Sequence, residues 1–302
     1  MYSTVYTSTK CFEHRSLDYM QKNKIQIFTQ DQHKISICEY LVQDAKANVI
    51  VAGATGVAQR FYRHFADYLN NNGFNVFTLD YRGIGDSAPD SLKSFEVDYL
   101  DWAKQDLAAL VEHTKQYNLP SFLVGHSYGG HALGLLPNIE EIKAAYVCGV
   151  GSGWSGWMPT LERIKVNVMW HFLAPILVRL YGFMAWSRLN MGEDLPLGVY
   201  KQWKHWCKYP HYFFDDPTMP EVAGLFARFK NRLVAVNALD DKWAQPSSRD
   251  AFFKGYSSAK LQVKDIIPEN YKLKSIDHMG YFSKNATLIW DDMLTLFNNE
   301  LS

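Results

Sequence analysis

Charge of one sign is missing from this chain. Lys plus Arg number 31, as do Asp plus Glu, and neither sign forms a long run. That balance argues against nucleic acid or an anionic membrane as the main partner. Cysteine is scarce: Cys11, Cys38, Cys148 and Cys207 are scattered, with no C-x-x-C spacing. Free thiols in a reducing compartment, the cytoplasm, are the expectation, rather than a disulfide framework. Residues 1–24 contain no apolar core followed by a small-residue cleavage site, so no signal peptide is expected. Uninterrupted apolar runs of spanning length are also absent. The most apolar stretch, residues 164–186, is broken by Lys165, His171, Pro175 and Arg179. It reads as a lid helix or a buried helix with at most shallow membrane contact, not a stable insertion. No internal repeat or low-complexity tract occurs.

What the chain has in quantity is apolar side chain, 47% of 302 residues, enough for one large core. Residues 24–29 and 33–42 read as a β-hairpin around Thr29-Gln30-Asp31-Gln32. Residues 48–52 form a nearly continuous apolar run, the pattern of a strand buried on both faces. A helix over 59–70, a strand over 74–80, a helix over 97–117, a strand over 121–125, a helix after 127 and a strand over 144–150 follow. The alternation resumes with a strand from 232, a helix over 247–255, a strand over 260–267 and a helix over 286–298. Strands alternating with helices predict a mostly parallel α/β sheet covered on both faces. Between them, residues 152–229 are rich in Trp, Tyr, Phe and Met and lose the alternation. They predict a helical cap inserted into a core domain made of residues 1–151 and 230–302.

The stretch "VIVAGATGV" (49–57) opens two possibilities. Gly53 and Gly56 before a helix, with Asp80 ending the next strand, resemble the start of a dinucleotide fingerprint. The third glycine would fall at position 59, which is Gln59, and its side chain would crowd the helix–strand approach. The other possibility is an oxyanion loop. "FLVGHSYGGHALGL" decides between them, because Gly125-His126-Ser127-Tyr128-Gly129 is a G-x-S-x-G match between a strand and a helix. A serine on such a turn needs glycine two residues either side, where a side chain would strike neighbouring backbone.

A serine hydroxyl is a poor nucleophile without a base, and the base needs an acid to orient it. Asp240 and Asp241 end a late apolar strand, and His278 sits in "SIDHMGYF" before the last helix. Ser127, Asp241 and His278 thus follow the order nucleophile, acid, histidine. The two aspartates compete for the acid role. The turn Asp241-Lys242-Trp243-Ala244 leading to Pro246 favours Asp241, with the other carboxylate capping the following turn. His126 should point away from the serine, and His131 reads as a packing residue.

With these residues the chain resembles the α/β-hydrolase family over nearly its whole length. "LDYRGIGDS" resembles the loop after the fourth strand in the branch holding monoacylglycerol lipases, serine aminopeptidases and small esterases. "GATGVAQRFYRHFADYL" and "NMGEDLPLGVYKQWKHWCKYP" are similar to a group of predicted bacterial hydrolases. The resemblance implies the eight-stranded α/β-hydrolase fold, the Ser127–Asp241–His278 triad, and an oxyanion hole made by the backbone N–H groups of Ala54 and Tyr128. Many relatives carry His-Gly where this chain has Ala52-Gly53, which puts the loop geometry in question.

His205, Cys207 and His211 lie close in sequence but form an incomplete zinc set, so no metal is expected. Trp154 and Trp157 either line an acyl pocket or pack cap on core. Glu193 and Asp194 read as a cap-to-core anchor. The expectation is a cofactor-independent serine hydrolase acting on a small-molecule carboxylic ester or thioester. An acyltransferase or amidase with the same triad is the second possibility, and a non-catalytic binding protein the third.

Overall fold

Strand alternation divides the core in two. Along the run at 48–52, all buried, Val49 and Val51 face one apolar cluster while Ile50 and Ala52 face the other. The structure, a computed structural model, describes residues 21–302, so Cys11 and most of the N-terminal stretch fall outside it. Its sheet has eight strands: β1 (Gln21–Phe28), β2 (Lys34–Leu41), β3 (Asn48–Ala52), β4 (Asn75–Leu79), β5 (Ser121–His126), β6 (Ile142–Cys148), β7 (Arg232–Ala238) and β8 (Lys260–Ile266). They lie in the order β1-β2-β4-β3-β5-β6-β7-β8. The β1–β2 and β2–β4 pairs are antiparallel and every other pair is parallel.

Helices cover both faces. A 3-10 turn, Gln59–Tyr62, leads into α1 (Arg63–Asn71). Next, α2 (Tyr99–Asp101), a π-helical turn (Trp102–Leu107) and α3 (Ala108–Thr114) run on as one helix. A capping box of Asp98 and Asp101 starts it. Then come α4 (Tyr128–Leu135), four helices between β6 and β7, α5 (Thr160–Val168), α6 (Ala174–Tyr181), α7 (Leu197–Trp206) and α8 (Val222–Ala227), and finally α9 (Pro246–Phe253) and α10 (Thr287–Leu301). Phe65 and Leu69 of α1 meet Trp290, Met293 and Phe297 of α10 on one face. Trp102, Leu110, Leu133 and Phe252 fill the other.

Boundaries shift where local backbone intervenes. The strand expected over 144–150 spans Ile142–Cys148, because Gly149, at φ +62°, turns the chain out of the sheet. The expected helix over 59–70 starts as a 3-10 turn around the buried Gln59. Gln59 bonds with Thr78, Ser36 and both carboxylate oxygens of Asp80, so the third-glycine position holds a buried polar clasp. Asp80 also accepts the Asp86 N–H at 3.1 Å, and a Cβ on Gly85 would come within 2.6 Å of its carboxylate. The glycines of "RGIGDS" thus serve the close fit of this loop over Asp80.

The apolar stretch 164–186 is not one regular helix. α5 passes through a π-helical turn, Met169–Leu173, into α6, and Pro175 sits at the start of α6. The wider turn accommodates the N–H that proline lacks. No helix among the described residues is long and apolar enough to cross a membrane.

Candidate active site

A tight turn joins β5 to α4. Ser127 adopts φ 50°, ψ −110°, a backbone region that L-residues avoid. Its neighbours explain how this is tolerated. A Cβ on Gly125 would lie 2.8 Å from the Gly129 carbonyl carbon, and one on Gly129 would land on the Ala52 carbonyl oxygen. Glycine at both positions lets β5 and α4 close around the serine next to the end of β3.

Two loops bring groups to the serine. Asp241 follows β7 and is fully buried. Its Oδ1 accepts the N–H groups of Trp243 and Ala244 at 2.9 and 3.0 Å, which caps the turn. Its Oδ2 lies 2.9 Å from His278 Nδ1 and accepts the Tyr281 hydroxyl at 3.2 Å. His278 Nε2 lies 3.0 Å from Ser127 Oγ. The carboxylate, imidazole and hydroxyl therefore form one hydrogen-bonded chain. Burial alone would push the Asp241 carboxyl up, but the facing His278 and the donated hydrogen bonds hold it below its ordinary range. Burial likewise works against charge on His278, and Asp241 overcomes it, leaving the imidazole above its ordinary value. Each partner stabilises the charged form of the other.

Asp240 has a different task from the one its sequence suggested. It does not cap the β7 turn, which Asp241 caps itself. Instead its Oδ2 accepts Ser275 Oγ–H at 3.0 Å and the Ile276 N–H at 2.9 Å. It clamps the loop that carries His278.

One expected donor is already engaged. The Ala54 N–H donates to Tyr62 Oη at 2.8 Å in a buried setting. Tyr62 Oη lies 2.9 Å from His126 Nδ1, and His126 Nε2 lies 2.8 Å from the His278 carbonyl oxygen. Burial and the neighbouring His278 push His126 down to about 3, so the ring is neutral. One proton arrangement satisfies every atom: Ala54 N–H to Tyr62 Oη, Tyr62 O–H to Nδ1, and Nε2–H to the His278 carbonyl. Sequence reasoning missed Tyr62, and a tyrosine in a helical apolar pattern gives no hint of such a partner. Tyr62→Phe leaves both the Ala54 N–H and His126 Nδ1 without this partner. It should lower unfolding free energy by about 1–3 kcal/mol in a denaturant titration. The Tyr128 N–H starts α4 and has no partner among the described residues, nor has the N–H of Thr55.

A cavity of about 640 Å³ opens over Ser127 and His278. Trp186 and Trp203 from the segment between β6 and β7 and Trp243 from the loop after β7 line it with Phe61, Met191 and Met279. Trp154 and Trp157 lie elsewhere; they pack edge to face, and Trp157 Nε1–H donates to the Pro210 carbonyl at 2.9 Å. Glu193 pairs with Arg60 while its N–H bonds the Gly56 carbonyl at 2.8 Å, which ties this segment to the loop after β3. Asp194 caps within the insertion, accepting the Ser187 N–H at 2.8 Å. His205 and His211 have separate carboxylate partners, Asp216 and Asp215, each 3.0 Å away. No cluster of three or more potential metal ligands occurs among the described residues. His131 Nε2 lies 2.8 Å from the Gly151 carbonyl oxygen, with its ring against Tyr212 and Phe252.

Comparison with known proteins bears on the fold. Residues 43–149 match the family model described as serine aminopeptidase, S33. A soluble variant of monoglyceride lipase from Saccharomyces cerevisiae superposes with a TM-score of 0.67 at 15% identity, covering 98% of this chain and 100% of the other. An esterase from Pyrococcus furiosus gives 0.60 at 14% identity, covering 94% and 92%. The esterase domain of a Rhodothermus marinus protein gives 0.58 at 15% identity, covering 94% and 100%. No curated protein matches the sequence.

Proposed function

We propose that this chain, an α/β-hydrolase by fold, is a serine esterase that works through an acyl-enzyme. The observation that carries this is the chain from Asp241 through His278 to Ser127, at 2.9 and 3.0 Å, on the floor of an apolar cavity. Ser127 Oγ attacks the ester carbonyl while His278 Nε2 takes its proton. His278 then returns that proton to the leaving alkoxide. Asp241 keeps Nδ1 protonated and stabilises the imidazolium. Water, deprotonated by the same His278, releases the acid.

The developing oxyanion is bound by the Tyr128 N–H. Ala54 adds its N–H by exchanging the Tyr62 hydroxyl for the oxyanion, a charged and therefore stronger acceptor. Residues 152–229 act as the cap, with Trp186 and Trp203 as the apolar wall for the acyl or alcohol portion. The unpaired thiols of Cys38, Cys148 and Cys207 suit the cytoplasm.

An ester is favoured over a peptide with a free amino terminus by the charges in the cavity. Glu193 is the only acid among the described lining residues, and Arg60 already holds it. A thioester, or acyl transfer to an acceptor other than water, would use the same groups. The test is a fluorophosphonate probe, read by mass spectrometry, alongside esters of increasing acyl length. The probe is expected on Ser127. Wild-type protein that stays unlabelled and inert towards every ester would end the proposal.

A further inference from the structure

The surface of the cap carries a feature that catalysis does not use. Fourteen large apolar side chains are exposed among the described residues, and seven of them lie between Leu161 and Leu180. Six recur at helical spacing: Leu161, Ile164, Val168, Phe172, Ile176 and Leu180. Leu180 is 71% exposed, Leu161 67% and Phe172 65%. A spacing of four drifts around a regular α-helix. The π-helical turn Met169–Leu173 holds more residues per turn, which pulls the later positions back into line. The result is one apolar face along α5, the π turn and α6, about 29 Å from Leu161 to Leu180 at roughly 1.5 Å per residue.

The charges around this face are one-sided. Arg163, Lys165 and Arg179 are exposed on the same helix, and Arg188 follows just after it. The only acid between Thr160 and Tyr181 is Glu162, which turns inward to accept Trp243 Nε1–H at 3.2 Å and lies 3.5 Å from the Lys165 ammonium. Arg163 and Arg179 have no carboxylate partner among the described residues. The balance of charge over the whole chain conceals this local excess.

We propose that this helix docks the protein on an anionic lipid surface, lying in the plane of the interface without crossing it. An apolar stripe flanked by Lys and Arg is the pattern of an interfacial helix. A lipid surface fits better than a second copy of the chain. In an antiparallel two-fold pair, Arg163 and Lys165 of one copy would approach Arg179 of the other. Beneath the stripe, Trp170 packs edge to face on Trp203, a wall of the cavity over Ser127. Docking would bring that cavity close to the bilayer. The inference does not rest on the esterase assignment.

The test is co-sedimentation with vesicles of phosphatidylcholine plus phosphatidylserine, against phosphatidylcholine alone, at low and high salt. Wild type should bind the phosphatidylserine vesicles, with binding weakened by salt. Ile164→Glu/Phe172→Glu/Leu180→Glu should lower that binding about tenfold or more, and Arg163→Glu/Arg179→Glu should lower it in the same direction. Both variants should keep the wild-type melting temperature and probe labelling. Three results would overturn the proposal. One is wild type that stays in the supernatant with phosphatidylserine vesicles. Another is unchanged binding in both variants. The third is a wild-type dimer in sedimentation velocity that the apolar variant dissociates, with no vesicle binding by either protein.

Discussion

Ser127→Ala should lower kcat/KM on an activated ester by about four to six powers of ten. The expected loss falls almost entirely on kcat. Among the described residues, Ser127 Oγ is the one nucleophile within hydrogen-bonding distance of His278 Nε2. Binding is little affected, because the apolar walls Trp186, Trp203 and Trp243 belong to other elements. A residual rate above that in water should persist, since the Tyr128 N–H still stabilises an oxyanion formed by attack of water. Folding should be preserved or slightly improved. The strained φ of 50° remains, but alanine adds no atom to the turn. Steady-state kinetics with active-site titration of the wild type checks this. A loss smaller than about a hundredfold would remove Ser127 as nucleophile.

That serine was the most legible part of the molecule because its constraint is local. The strand, the turn and both glycines fall within a few consecutive residues, and steric exclusion alone requires the pattern. Asp241 and His278 could be found next, since each sits in a loop just after a recognisable strand or just before the last helix. Other features depend on contacts between distant segments. Trp154 and Trp157 read equally as pocket walls or as packing, whereas the walls come from Trp186, Trp203 and Trp243. Their side chains converge only when the cap folds back, and no sequence period encodes that. The Tyr62 bond to Ala54 N–H is equally hidden, because the spacing of Tyr62 from the loop is that of any buried aromatic residue. The apolar stretch 164–186 read as a lid helix or a buried helix for the same reason. Apolar spacing shows that a face exists, and only the tertiary structure shows whether that face is covered.

The paired aspartates give the second large effect, and they separate cleanly. Asp241→Asn should lower kcat by about four powers of ten. With one accepting oxygen, the amide in no orientation accepts both the His278 Nδ1–H bond through one atom and the Trp243 and Ala244 N–H bonds through the other. It also carries no charge to stabilise the imidazolium. The pH profile adds a signature that misfolding would not produce. In the proposed mechanism activity needs neutral His278, whose pKa Asp241 raises above its ordinary value. The acid limb of kcat/KM should therefore lie above the ordinary imidazole range, with activity lost as pH falls through it. Removing the carboxylate leaves burial as the dominant influence, and burial disfavours the charged ring. The limb should then move to lower pH while the plateau drops. Asp240→Asn should behave differently. Its side-chain oxygen can still accept the Ser275 and Ile276 donors, so kcat should fall less than about tenfold and the limb should stay in place. If Asp240→Asn instead causes the larger loss and shifts the limb, the acid has been assigned to the wrong member of the pair.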